Sequence, residues 1–144
     1  MKNQLEKLTN EERKKLISTP VLVSLLAAGS DGLFDKKERS DAIEMSHLRT
    51  FTANPELRPF YKLVETSFKS ELDELLEKYK PLHKNIVEIE RLISESYGIL
   101  DKLSPEYIEL MKESLKSYAE HVANVHPTLS DIFDFSIFKL KQRY

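Results

Sequence analysis

Phe60-Tyr61-Lys62-Leu63-Val64-Glu65-Thr66-Ser67-Phe68-Lys69-Ser70-Glu71-Leu72-Asp73-Glu74-Leu75-Leu76-Glu77-Lys78-Tyr79 places an apolar residue at nearly every third or fourth position. That is the period of a helix with one buried face. The same spacing continues on both sides, divided by helix start and stop signals. Pro81 ends the quoted helix, and Ile86, Ile89, Leu92, Ile93, Leu100 and Leu103 carry the next one. Ser104-Pro105 reads as a cap followed by proline at the first helical position, where the missing N–H costs nothing. Tyr107, Ile108, Met111, Leu115, Tyr118 and Val122 follow, and Pro127-Thr128 leads into a last helix rich in Phe133, Phe135 and Phe138. Those aromatics are expected in the core, the alternative being a docking surface for another chain.

Toward the N-terminus, Thr9-Asn10-Glu11-Glu12 fits a capping box opening a helix to about Ser18. Thr19-Pro20 then starts a short helix, apolar almost all round and therefore expected to be buried. Gly29 is its natural terminator. A further helix runs to about Phe51, Asn54-Pro55 begins another segment, and Pro59 forces a bend or restart. No alternating strand pattern or repeat competes with this reading. The expected fold is all-α, one domain over residues 1–144.

Composition agrees. The chain has 144 residues, Gly 3 and Cys 0. Few glycines disfavour a strand-and-turn architecture, and the lack of cysteine excludes disulfides, thiol nucleophiles and zinc–cysteine sites. The 22 basic and 24 acidic side chains nearly balance, unlike the basic face of a nucleic-acid binder. Val21 to Ala28, the longest apolar stretch, is less than half of the ~18 residues that suggest a membrane span. With Met1-Lys2-Asn3-Gln4 opening no secretory signal, a cytoplasmic location is expected.

The loop Gly29-Ser30-Asp31-Gly32-Leu33-Phe34-Asp35-Lys36-Lys37-Glu38 carries the first candidate site. Asp31, Asp35 and Glu38 offer hard oxygen donors at a helix–loop–helix junction, the ligand type that Ca²⁺ and Mg²⁺ take. Against the EF-hand pattern, Ala27 and Gly29 occupy the first two ligand positions and supply no side-chain oxygen. The same residues also admit a metal-free reading: Asp35 and Glu38 cap a helix and Asp31 bonds its own turn.

An amphipathic helix, a turn of the form Ala/Ser-Asp-Gly followed by an apolar residue and a glutamate, and a second amphipathic helix resemble the TerB-like domains of tellurite-resistance proteins. The stretch that carries the resemblance is Leu25-Leu26-Ala27-Ala28-Gly29-Ser30-Asp31-Gly32-Leu33-Phe34-Asp35-Lys36-Lys37-Glu38, within residues 20–51. The resemblance implies a compact all-α bundle of about seven helices. It also implies an acidic metal site, with ligands transferring to Asp31 and Glu38, and a role in a stress-response assembly rather than a known reaction. The family's second acidic motif has its nearest counterpart in Asp101-Lys102-Leu103-Ser104-Pro105-Glu106, which lacks the glycine.

A second candidate lies on the following helix. At 3.6 residues per turn, Ile43, Met45, Leu48 and Phe51 sweep one broad sector that also takes in Asp41, Glu44 and His47. Arg39, Ser46, Arg49 and Thr50 fall opposite. Carboxylates on a buried face need a partner or a cation. Glu44-x-x-His47 has the spacing of di-metal helical bundles, but those need the pair twice, and no other histidine here follows a glutamate by three. The commoner solution is an interhelical salt bridge to a lysine or arginine, with His47 donating to a carboxylate. Glu71, Asp73, Glu74 and Glu77 are expected on solvated helix surface, and basic Lys139, Lys141 and Arg143 suit a helix C-terminus. No nucleophile elbow or phosphate-cradling glycine loop is present. These readings lead to a non-enzymatic binding or scaffold module with a protein partner and, at the acidic turn, a divalent cation. The alternatives are a metal-free interaction domain and a metal-dependent enzyme using Asp41, Glu44 and His47.

Overall fold

The computed structural model describes residues 4–28 and 36–124, with the side chains of 27, 28, 38 and 119–124 left aside. The expected last helix, with Phe133, Phe135 and Phe138, lies outside these residues. Among the described residues six α-helices follow one another: α1 Asn10–Ile17, α2 Thr19–Ala28, α3 Lys36–Thr52, α4 Arg58–Lys78, α5 Ile86–Ile99 and α6 Pro105–Asn124. Single 3₁₀ turns precede α1, α4, α5 and α6, and there is no strand among the described residues. The all-α expectation is met.

α2 lies at the centre. Every residue from Thr19 to Leu26 is buried, and α3, α4, α5 and α6 all pack around it. Two polar side chains on this helix bond main-chain carbonyls four residues earlier, Thr19 reaching back to α1 and Ser24 to α2 itself. Thr19 Oγ1 donates to Lys15 O at 3.3 Å and Ser24 Oγ to Pro20 O at 3.0 Å, so neither hydroxyl is left unpaired. Val21, Val23, Leu25 and Leu26 are fully buried and join Phe60, Tyr61, Val64, Phe68, Leu72, Ile89, Ile93, Met111 and Leu115 in one core.

The local signals act as read. Thr9 Oγ1 accepts from Glu12 N at 3.1 Å while Thr9 N donates to Glu12 Oε1 at 2.9 Å, a complete capping box. Asn54 Oδ1 caps the 3₁₀ turn Pro55–Leu57, and Pro59 sits in the first turn of α4. There the helix restarts rather than bends. α5 stops earlier than its apolar pattern suggests. It ends at Ile99, and the 3₁₀ turn Leu100–Lys102 takes over. Leu100 and Leu103 nevertheless both stay buried, because three residues make one 3₁₀ turn.

α1 bridges α4 and α5. Lys15 Nζ meets Glu95 Oε1 at 2.8 Å, and buried Ser96 Oγ donates to Lys15 O at 3.1 Å. α3 and α4 form an antiparallel pair. Arg39 grips both Asp73 oxygens at 2.8 and 2.9 Å at one end, and His47 meets Glu65 further along. Truncating the central helix should be costly in proportion to its burial. Leu25→Ala is expected to lose about 2–5 kcal/mol, the range for buried leucines, read as a lower midpoint in urea unfolding with an unchanged slope.

Candidate functional site

The acidic turn is only partly in view. Asp31 and Asp35 lie outside the described residues, and Glu38 belongs to α3 with its side chain left aside. Asp101 and Glu106, the counterpart of a second acidic motif, are both exposed.

The ladder Asp41, Glu44 and His47 is fully placed, and its setting differs from expectation. Glu44 and His47 are exposed and Asp41 is half-buried. Asp41 Oδ2 pairs with Lys37 Nζ at 3.1 Å, and His47 Nδ1 with Glu65 across the groove to α4. His47 meets a carboxylate as expected, that of Glu65 on α4, whereas Asp41 pairs with Lys37 of its own helix rather than with a lysine or arginine from another. No group of three His, Asp or Glu side chains converges as a metal site among the described residues.

The cause is the rotation of α3 about its axis. The face turned inward is Ala42, Met45 and Ser46, exposed by 3%, 7% and 1%, with Ile43 half-buried against the core; of the expected sector, Leu48 and Phe51 are the residues left outside. Ser46, expected in solvent, is buried, and its hydroxyl donates to Ile43 O at 2.7 Å. Small Ala42 and Ser46 sit on this inner face, and polar contacts tie α3 to its neighbours. Arg39 binds Asp73, while Arg49 donates to Ser117 Oγ at 3.2 Å and lies over the Tyr118 ring at 5.6 Å. Tyr118 Oη in turn donates to Ala42 O at 3.4 Å.

The outward face therefore carries large apolar groups. Leu48 is 37% and Phe51 53% exposed, and the Phe51 ring meets His47 edge-on, with centroids 5.8 Å apart. His47, Leu48 and Phe51 form a short stripe on a helix fixed from behind.

One titratable residue escaped the sequence reading. Glu71, placed on solvated surface with its acidic neighbours, is half-buried against the end of α1, where Ser18 Oγ bonds its Oε2. Burial raises the pKa of this carboxyl group, and nearby Glu74 adds to the effect against the pull of Ser18 and Lys14. The signal was present in the spacing: Glu71 follows Phe68 by three and precedes Leu75 by four, which puts it at the edge of the apolar face.

These features define an all-helical arrangement with His47, Leu48 and Phe51 exposed on α3. Compared with family models, curated proteins and solved structures, the chain matches none. If the stripe is surface rather than core, Phe51→Ser should change stability by no more than about 0.5 kcal/mol. Urea unfolding of that variant would check it, and a loss comparable to that of Leu25→Ala would contradict the described packing.

Proposed function

We propose that the chain is a non-enzymatic helical binding or scaffold module, of the stress-response kind implied by its TerB-like stretch, with the outer face of α3 as its contact surface. One observation carries the proposal: Leu48 and Phe51 stand exposed on a helix whose opposite face is packed and clamped. Aromatic and aliphatic anchors on a rigid element are what a protein partner buries at the centre of an interface, and their position costs little ordering on binding. The same helix follows the acidic turn, where Asp31, Asp35 and Glu38 would hold a Ca²⁺ or Mg²⁺ ion with oxygen donors. The metal-dependent enzyme gains no support from α3, whose Asp41 and His47 are engaged with Lys37 and Glu65.

Both halves of the proposal are testable. A cation bound only by the native state raises the melting temperature by mass action, by the equivalent of about 2.7 kcal/mol at a hundred times its Kd. Melting should therefore fall on EDTA, recover with one ion, and become insensitive to both in Asp31→Asn and Glu38→Gln. Identical melts throughout would leave a metal-free interaction domain. For the partner surface, a photo-crosslinker at position 51 should give a defined adduct in the producing cell. Leu48→Ser should suppress that adduct, and a crosslinker at exposed Val87 should give none. Adducts equally abundant from both positions would remove α3 as the contact face.

A further inference from the structure

We propose that Glu71 is a pH-responsive latch between α1 and α4: its carboxyl group carries a proton in the packed state and releases it to solvent as pH rises, loosening the end of α1. Hydrogen-bond counting at Ser18 leads there. Ser18 Oγ lies 3.0 Å from Lys14 O and also within bonding distance of Glu71 Oε2. A hydroxyl has one proton to donate, and an ionised carboxylate can only accept. With Glu71 charged, the two acceptors compete for that proton. With Glu71 protonated on Oε2, the carboxylic acid donates to Ser18 Oγ and Ser18 donates to Lys14 O, so each contact has its donor.

The other oxygen points the same way. Glu71 Oε1 is buried and has no hydrogen-bond partner among the described residues. Charge on such an oxygen is costly, since it is buried and no described protein donor meets it. The charged neighbours do not offset this. Lys14 on α1 attracts the carboxylate, whereas Glu74 on α4 repels it. α2 contains no ionisable residue. On α3, Arg39 is committed to Asp73, and Asp41 to Lys37. On the far side of α1, Lys15 is paired with Glu95 of α5.

The direction with pH follows from proton linkage. The folded state holds its Glu71 proton to higher pH than the unfolded chain, whose value is near the ordinary 4.5. Stability is therefore unaffected by this group below 4.5 and falls as pH rises from there through the raised folded value, beyond which the loss is complete. Glu71→Gln keeps the shape and a donor for Ser18 but cannot ionise. Thermal melts of both proteins between pH 4 and 8, with a ¹³C titration of the Glu71 carboxyl carbon, test the latch.

Glu71→Gln should gain on wild type as pH rises, reaching about 2–4 °C at neutrality, and the carboxyl midpoint should exceed 4.5. Amide exchange at the end of α1, corrected for its intrinsic pH dependence, should quicken with pH in wild type alone. A midpoint at or below 4.5, or a Gln–Glu difference that stays constant with pH, would overturn the proposal.

Discussion

A helix without a solvent face is the constraint on which the rest of the fold depends. α2 is buried from Thr19 to Leu26, so it must satisfy its polar groups internally and be covered on every side. Its two hydroxyls turn back to main-chain carbonyls, and the surrounding helices supply the cover. The ion pairs that decorate the outside, such as Arg91 with Glu88 and Glu95, join side chains that remain well exposed. Water screens such pairs, and they add little to stability. Burial around α2 carries the fold, and the surface pairs choose among orientations it already permits.

α3 is the exception in this arrangement. It packs through Ala42, Met45 and Ser46, a narrow and partly polar stripe, and so has less apolar area to contribute than α2. Its angle depends on Arg39 and Arg49 reaching to α4 and α6. Arginine suits this task because its planar fork binds a carboxylate with two bonds and stacks on a ring. A helix held by guanidinium clamps at its margins can leave leucine and phenylalanine outside.

Much of this was legible in the sequence, and the failures share one cause. Caps, proline positions and the buried character of α2 are local properties, and Thr9, Glu12, Asn54 and Pro59 behave as their chemistry dictates. The facing of α3 is not local. Its apolar residues are scattered around the axis, so periodicity favoured the side with the largest side chains, Leu48 and Phe51. The rotation goes with the packing of α3 against α4 and with the two arginines, which reach Asp73 of α4 and Ser117 and Tyr118 of α6. For Glu71 the spacing from Phe68 and Leu75 already marks the edge of the apolar face, but its contact with Ser18 depends on the packing of α1 against α4. The acidic turn was read from sequence, and Asp31 and Asp35 lie outside the described residues.

The aromatic content of the core has a consequence for alkaline behaviour. Tyr61, Tyr97, Tyr107 and Tyr118 are all buried, and burial raises the pKa of each phenol. Tyr61 Oη also shares a 2.6 Å hydrogen bond with Ser114 Oγ. In the unfolded chain these groups would ionise near ~10, so base draws the equilibrium toward the unfolded state. Phenolate formation and collapse of the core thus become a single cooperative event. With no tryptophan in the chain, ultraviolet absorbance reads that event directly, and the protein reports its own opening without an added probe.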